Sequence, residues 1–186
     1  MYERTLALIG EDSLNKIKRK NILVLGTGGV GGYAIETLVR SGIQNITIVD
    51  YDKIDYSNIN RQVVANSNNI GNYKVNEWEK RIKEINKDIK VKKINEKITK
   101  DNINILFEDN YDYIIDACDT VIVKKLLIKL CKEKNINLLT VCGTGIIEAI
   151  TSLFVLFGFS EENTHITFPL IFSSLIYFLR DLAIGS

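Results

Sequence analysis

The chain has 186 residues, of which 25% are charged, and a formal net charge of +1. This length suits one domain with a substantial core, and the charge balance favours neither a strongly basic nucleic-acid binder nor an acidic, disordered chain. The three cysteines form no C-x-x-C pair, which excludes a cysteine-rich zinc knuckle and suits reduced thiols in a cytosol. The N-terminus lacks an apolar signal core, so we expect a cytoplasmic protein.

The first predicted element is an amphipathic helical region over residues 5–19. Gly10 interrupts its apolar pattern, so we expect two helical pieces rather than one continuous helix. Five apolar side chains of this region are expected to be buried: Leu6, Leu8, Ile9, Leu14 and Ile17.

A short apolar run over residues 22–25 leads into a glycine-rich turn. This pattern predicts a buried parallel strand and a tight turn. Gly26, Gly28 and Gly31 fit the G-x-G-x-x-G spacing, in which the second glycine lets the backbone approach a phosphate. A helix over residues 30–41 would then direct its N-terminal amides at the phosphates. The turn alone does not identify the nucleotide, and a turn without any ligand is the alternative.

A second predicted strand, residues 46–50, ends in an acidic residue. Asp50 follows Gly31 by about 20 residues, the position at which an acidic side chain meets a ribose hydroxyl in nucleotide-binding βαβ units. Up to this point in the chain, a nicotinamide-dependent dehydrogenase fits equally well.

The following loop, residues 50–62, is rich in carboxylates and amides and contains one arginine. A loop that follows a strand's carboxyl end lies in the ligand crevice of an open α/β sheet. There Arg61 can neutralise a triphosphate, and Asn58 and Asn60 can hydrogen-bond phosphate or ribose. A solvated loop with Asx turns is the alternative.

Residues 71–86 are predicted to form a helix, with apolar residues on one face: Val75, Trp78, Ile82 and Ile85. Lys74 lies in its first turn, where the helix dipole disfavours a cation. A nearby anion would make this position favourable, which suits a lysine that contacts phosphate. An exposed lysine without a role is the alternative.

Residues 89–94 are a third predicted strand within a lysine-rich stretch. Between residues 80 and 100 there are nine Lys or Arg and three Asp or Glu. Such a surface can bind a polyanion such as RNA. Charge runs are more often a solvated face, and we favour that interpretation.

A fourth predicted strand, residues 113–117, ends in a polar turn that carries Cys118 and Asp119. Asp119 is therefore expected in the same crevice, where a carboxylate can hold a Mg²⁺ that bridges phosphates. Asp119 can also cap the helix predicted over residues 120–134. Cys118 is expected to be a small buried residue beside the site. Residues 138–141 form a fifth predicted strand.

Together these elements resemble the ThiF/MoeB/HesA family, the bacterial relatives of ubiquitin-activating enzymes. The resemblance covers roughly residues 3–145, with the motifs G-x-G-G-x-G, D-x-D, S-N-x-N-R-Q, G-x-x-K-V and D-A-x-D in order. It implies an α/β fold with a Rossmann-like, doubly wound, mainly parallel sheet and flanking helices. Residues 1–145 would form the ATP-binding domain and residues 146–186 a shortened apolar segment of it.

The resemblance also implies an enzyme that uses ATP and Mg²⁺ to adenylate a carboxylate, with release of pyrophosphate. The cofactor-binding residues that it implies are Gly26, Gly28, Gly29, Gly31, Asp50, Asp52, Asn58, Arg61 and Lys74. Within this set the glycines hold the phosphates, Asp50 holds the ribose, and the last three contact the phosphate chain. The implied catalytic residues are Arg4, Arg61, Lys74 and Asp119, with Asp119 linked to Mg²⁺. Arg4 matches an arginine supplied by a partner subunit, which implies a homodimer.

Residues 4–12 and 141–145 are most similar to a branch of the family that activates the threonyl carboxylate of a modified tRNA base. The missing zinc cysteines agree with this branch, because the branches that adenylate sulfur-carrier proteins usually have them. Two alternatives stay open. One is adenylation of the C-terminus of a sulfur-carrier protein, and the other is a non-catalytic nucleotide-binding remnant.

The C-terminal part departs from the family pattern. Two stretches, residues 146–160 and 166–179, are mostly apolar, yet neither reaches about 18 uninterrupted apolar residues, so membrane association is not expected. Residues 165–169 resemble the family's returning strand, which precedes its last core helix. The crossover before that strand is then shortened to residues 146–164. We interpret His165 as structural, and Cys142 can line the pocket.

Overall fold

The computed structural model describes residues 2–141 and the backbone of a strand at residues 164–167. The predictions for Cys142, for the side chain of His165 and for the apolar helix after the last strand lie outside the described residues. The division into residues 1–145 and 146–186 stays a prediction for the same reason.

Six strands form a single sheet: β1 (Asn21–Leu25), β2 (Asn45–Val49), β3 (Lys90–Ile94), β4 (Tyr113–Asp116), β5 (Asn137–Val141) and β6 (Thr164–Thr167). Their order is β3-β2-β1-β4-β5-β6, and every neighbouring pair is parallel. The strand order reverses between β1 and β4. In such sheets, ligands bind beyond the carboxyl ends of the strands at this reversal. The predicted doubly wound α/β fold is therefore confirmed.

Four α-helices lie in the described part of the chain: α1 (Glu3–Arg19), α2 (Gly29–Ser41), α3 (Lys74–Ile85) and α4 (Val121–Lys134). They agree with the predicted helices to within a few residues. None of these helices is long and apolar enough to cross a membrane.

Alternate residues of β1 face two separate hydrophobic clusters. Ile22 and Val24 belong to a cluster with residues of α2 and α3, whereas Leu23 and Leu25 belong to a cluster with residues of α4. Successive side chains of a strand point to opposite faces of the sheet. A strand with apolar side chains on both faces must therefore be covered by other elements on both faces. The continuous apolar run of β1 thus explains why helices flank the sheet on two sides.

Trp78 fixes α3 against the glycine turn. Its side chain is fully buried, and its indole Nε1 donates a hydrogen bond to the Thr27 carbonyl at 3.2 Å. The indole also packs against α2 so closely that a Cβ at Gly32 would lie 2.8 Å from its Cζ2 atom. Position 32 therefore requires a glycine, because any side chain there would prevent α2 and α3 from approaching each other this closely.

The N-terminal helix contains the expected interruption. Gly10 has φ 78° and ψ 167°, which divides α1 into two pieces, and Leu14 and Ile17 in the second piece are buried. The expected burial of Leu6 and Leu8 is wrong, because these side chains are 41% and 85% exposed. The backbone turn at Gly10 is the reason: the first piece does not continue the buried face of the second.

Candidate nucleotide-binding site

A cavity of about 320 Å³ lies beyond the carboxyl ends of β1, β2 and β4. It lies where the strand order reverses, the position at which open α/β sheets bind ligands. The structure brings nine of the predicted site residues to its wall: Gly26, Gly28, Gly29, Asp50, Asp52, Asn58, Arg61, Lys74 and Asp119.

The glycine turn between β1 and α2 forms one side of this cavity. Gly26 has φ 86°, and a Cβ there would lie 2.8 Å from the Ala117 carbonyl oxygen. A Cβ at Gly31 would overlap the Gly26 carbonyl oxygen, so Gly31 serves the packing of α2 on the turn. The N-cap residue of α2 is Gly28, which has no side chain that could bind the first amides of the helix. The first amides of α2 are therefore available to an anion in the cavity.

Asp50 joins the glycine turn to the loop after β2. Its Oδ2 accepts hydrogen bonds from the Thr27 amide at 2.8 Å and the Thr27 hydroxyl at 2.9 Å, and its Oδ1 accepts one from the Asp52 amide at 2.9 Å. These bonds fix the carboxylate at the cavity wall. Because a carboxylate has about four acceptor positions, Asp50 retains capacity for a further donor such as a ribose hydroxyl.

Lys74 and Asp52 form an ion pair at the cavity wall. Lys74 Nζ lies 2.8 Å from Asp52 Oδ2; the lysine side chain is buried, and the aspartate side chain is about half exposed. The Lys74 amide also donates to the Asp52 carbonyl at 3.0 Å. Asp52 therefore supplies the anion that makes a lysine favourable in the first turn of α3.

Hydrogen bonds within the loop hold Asn58 and Arg61. Asn58 Oδ1 accepts from the Asp55 amide at 3.1 Å, which is one half of a capping box around a short 3₁₀ turn. Arg61 Nη1 donates to the Ser57 carbonyl at 2.8 Å and to Asn60 Oδ1 at 3.0 Å. Asp55 Oδ1 also accepts from the Ser57 amide at 2.8 Å, an Asx turn of the kind that the alternative interpretation expects, and it helps to shape the loop that carries Arg61 to the cavity.

The turn between β4 and α4 forms a further part of the cavity wall, next to the glycine turn. Asp119 lines the cavity there, and the N-cap of α4 is Thr120. The alternative role of Asp119 as the helix cap is therefore wrong. Burial, together with the nearby Asp116 carboxylate, raises the pKa of the Cys118 thiol to about 12. Cys118 is thus a protonated, partly buried thiol at neutral pH.

The described residues hold no cluster of three or more His, Cys, Asp or Glu side chains that could bind a metal by themselves. Mg²⁺ does not need such a cluster when phosphates are bound, because it is held by one or two carboxylates, substrate phosphates and waters. The carboxylate of Asp119 at the cavity wall fits this pattern.

Several residues of the cavity were not predicted from the sequence as site residues. One wall is apolar and combines residues from four segments: Leu25, Val49, Ile98 and Val123. Ile98 follows β3, so the rule that sites follow strand ends could have found it. Gln62 also lines the cavity, and its Oε1 is buried without a hydrogen-bond partner among the described residues. Nothing in the spacing of the sequence marks Gln62 as buried.

Arg4 is not among the described residues that line this cavity, whereas the basic stretch contributes three of them: Glu96, Lys97 and Ile98. Arg4 is exposed in the first turn of α1, and its supply to a partner subunit stays a prediction. Residues 80–100 contain several ion pairs, for example Arg81 with Glu36 at 2.9 Å and Lys93 with Glu79 at 2.6 Å. These pairs agree with a solvated face, and contact with RNA is likewise untested.

Comparisons with known proteins agree with this geometry. The profile of the ThiF family matches residues 2–165, a range that contains the whole cavity. Over 148 residues the chain is 40% identical to the tRNA threonylcarbamoyladenosine dehydratase of Haemophilus influenzae, which covers 77% of this chain and 57% of that enzyme. It is also 35% identical over 130 residues to the adenylyltransferase and sulfurtransferase UBA4 of Vanderwaltozyma polyspora, covering 70% of this chain and 30% of that protein.

A solved structure is similar over the same region. The crystal structure of the E. coli tRNA N6-threonylcarbamoyladenosine dehydratase, TcdA, in complex with ATP superposes with a TM-score of 0.74 at 37% identity. The match covers 76% of this chain and 58% of that one. This chain therefore spans little more than half the length of the dehydratases that it matches.

Proposed function

The chain belongs to the ThiF family, and we propose that it is an enzyme that uses ATP to adenylate a carboxylate. The observation that carries this proposal is the cavity at the strand reversal. It combines a glycine turn and a helix N-terminus with three cationic and four acidic side chains, namely Arg61, Lys74, Lys97, Asp50, Asp52, Glu96 and Asp119. The similar TcdA structure contains ATP. A nicotinamide cofactor would leave Arg61, Lys74 and Asp119 without a function.

In the proposed reaction, the amides at the start of α2 bind the phosphates, and Lys74 and Arg61 neutralise their charge. Asp50 accepts a hydrogen bond from the ribose. Asp119 would hold a Mg²⁺, which supplies further neutralisation of the phosphate chain. A substrate carboxylate oxygen then attacks the α-phosphorus, an acyl adenylate forms, and pyrophosphate leaves. The protein contributes mainly position and electrostatic stabilisation.

The substrate that we propose is the threonyl carboxylate of threonylcarbamoyladenosine in tRNA. Similarity to the dehydratases at 40% identity supports this choice. After adenylation, the ureido group of the same base attacks the activated carbonyl carbon, a ring closes and AMP leaves. The net change in the base is the loss of one water, whose oxygen departs in AMP.

Similarity to the adenylyltransferase UBA4 supports a second candidate, adenylation of the C-terminus of a sulfur-carrier protein. The chemistry at ATP is the same in both cases, because each begins with a carboxylate that is a poor electrophile. The two candidates differ in the carboxylate that enters the cavity, and only the first includes the ring closure.

The test is pyrophosphate release from ATP in three parallel reactions: with tRNA that carries the modified base, with a sulfur-carrier protein, and with neither. We expect release with the modified tRNA, and none with tRNA that lacks the threonylcarbamoyl group. Release with the carrier protein alone would favour the second candidate. ATP binding without pyrophosphate release in any reaction would identify a non-catalytic nucleotide-binding remnant.

A further inference from the structure

A lysine and an aspartate that the proposed reaction does not use form a fully buried ion pair beside the cavity. Lys124 Nζ lies 3.0 Å from Asp116 Oδ2, and both side chains are 0% exposed. Moving two charges out of water costs free energy that their attraction often does not recover, compared with an apolar pair of similar size. The pair is therefore a poor source of stability, and its directional contacts need another explanation.

Both members of the pair also bind groups at the end of the sheet that faces the cavity. Asp116 Oδ1 accepts a hydrogen bond from the Cys118 amide at 3.1 Å, and Lys124 Nζ donates one to the Val141 carbonyl at 2.8 Å. The Thr140 hydroxyl donates to Asp116 Oδ2 at 3.4 Å. The pair thus connects the carboxyl ends of β4 and β5 with the first turn of α4.

The turn of residues 117–120 leads into α4 without the usual side-chain cap. Its last residue, Thr120, is the N-cap and makes no side-chain hydrogen bond to the helix. A lysine in a first helical turn is disfavoured by the helix dipole, and Asp116 offsets that charge at Lys124. The ion pair therefore connects the start of α4 to β4 where the usual cap is missing.

The same turn is a wall of the cavity. All four of its residues line the cavity, including Asp119. The turn also contacts the glycine turn, since a Cβ at Gly26 would lie only 2.8 Å from the Ala117 carbonyl oxygen. Asp116 and Lys124 themselves are not among the described residues that line the cavity. The pair is linked directly to this turn, because Asp116 Oδ1 accepts the hydrogen bond from the Cys118 amide.

We propose that Asp116 and Lys124 are positioning residues, which hold the turn of residues 117–120 so that Asp119 faces the triphosphate. This inference rests on the proposed function, because it assumes that ATP occupies the cavity. Its structural part, the restraint of the turn, can be measured without any substrate.

The test replaces both charges at once, because removal of one would leave the other buried without a partner. The double variant Asp116→Val, Lys124→Met substitutes apolar side chains of comparable size. The matched control is Lys129→Met on the same helix, since Lys129 is 72% exposed and lies 3.8 Å from Glu133. Should this double variant not fold, Asp116→Asn combined with Lys124→Met serves in its place, because it also removes both charges and keeps the size of the Asp116 side chain and an acceptor for the Cys118 amide.

The first measurement is hydrogen–deuterium exchange of the amides of residues 117–120, beside the unfolding midpoint of the whole protein. We expect exchange in this turn to become about tenfold faster or more in the double variant, with the midpoint close to that of the wild type. The control should match the wild type in both quantities. Unchanged exchange in a folded variant overturns the inference, whatever the activity.

The second measurement is the Mg²⁺ concentration that gives half the maximal rate of pyrophosphate release at fixed ATP. We expect a severalfold increase in the double variant, because Asp119 is no longer held at the phosphates. Partial unfolding does not produce this result, since it lowers only the number of active molecules. An unchanged Mg²⁺ requirement overturns the inference. A wild-type protein that releases no pyrophosphate overturns the proposed function alone, and the exchange measurement still decides the role of the pair.

Discussion

At the scale of single residues, two of the cations that line the cavity differ in their partners, because Lys74 is paired with a carboxylate and Arg61 is not. Lys74 contacts Asp52 at 2.8 Å, whereas Arg61 donates only to neutral acceptors, the Ser57 carbonyl and Asn60 Oδ1. An incoming phosphate must compete with Asp52 for Lys74, but it meets no anionic competitor at Arg61. We therefore expect Arg61 to contribute more directly to ATP affinity.

Replacing Arg61 with Ala should weaken ATP binding by roughly tenfold to a hundredfold, the effect of losing a charged hydrogen bond. Isothermal titration with ATP measures this change. Arg40→Ala is the control, because Arg40 is an exposed arginine on α2 that pairs with Glu36. Equal affinities for the wild type and Arg61→Ala would contradict the assigned role.

Cys118 should be a slow nucleophile despite its place at the cavity wall. Burial raises the pKa of its thiol to about 12, and the Asp116 carboxylate adds to this increase. The thiol is therefore protonated at pH 8, and the reactive thiolate forms in quantity only as the pH rises towards 12. At pH 8, iodoacetamide should alkylate Cys118 in the folded protein far more slowly than it alkylates a free cysteine peptide. Mass spectrometry of the peptide that contains Cys118 measures this rate. Rapid labelling at pH 8 would contradict the prediction.

At the scale of secondary-structure elements, two glycines of the same turn and helix serve different purposes. A Cβ at Gly32 would lie 2.8 Å from the buried Trp78 ring, whereas a Cβ at Gly28 would meet only Gln62 Nε2 at 3.7 Å. The first glycine is required for α2 to pack on α3. The absence of a side chain at Gly28 leaves room at the cavity, where the phosphates are expected.

The two positions therefore form a matched pair of alanine substitutions. Gly32→Ala should lower the free energy of unfolding by about 1–3 kcal/mol through overpacking, with the effect measured by urea denaturation. Gly28→Ala should change that free energy by less than about 1 kcal/mol, yet it should weaken ATP binding because the methyl group lies where the backbone approaches the phosphate. The reverse pattern of stabilities would refute this division of roles.

At the scale of the whole molecule, the position of Arg4 indicates that a second subunit completes the site. Arg4 lies on the first piece of α1, which turns away from the buried face at Gly10 and exposes Leu8. An exposed helix that carries both an apolar side chain and an arginine can lie against another subunit. We therefore expect a homodimer in which each Arg4 reaches the ATP site of its partner.

Mixing two inactive variants tests this expectation. Arg4→Ala and Arg61→Ala should each lower adenylation while sedimentation still shows a dimer. After subunit exchange in an equal mixture, half of the dimers are mixed and each contains one intact site, so about a quarter of the wild-type activity should return. No recovery in a mixture that has exchanged subunits would refute the contribution of Arg4 across the interface, as would an active monomer.

Local patterns of apolar and polar residues in the sequence were sufficient to predict the strands, the helices and the position of the candidate site. Apolar runs marked the strands, apolar residues three or four apart marked the helices, and polar residues directly after strands marked the cavity. These inferences succeed because hydrophobic period and glycine spacing are local properties, and because parallel strands bring their carboxyl ends to one edge.

Only the tertiary structure decided which side chains pair and which are buried. In the sequence, nothing distinguishes Lys124 from an exposed helical lysine, yet its side chain is fully buried against Asp116. Lys74 likewise pairs with Asp52, a residue 22 positions earlier in the chain. Leu8 fits an apolar pattern, yet it is exposed, because the backbone turns at Gly10. Pairing and burial depend on how separate elements pack, and residues distant in sequence set that packing, which no local pattern records.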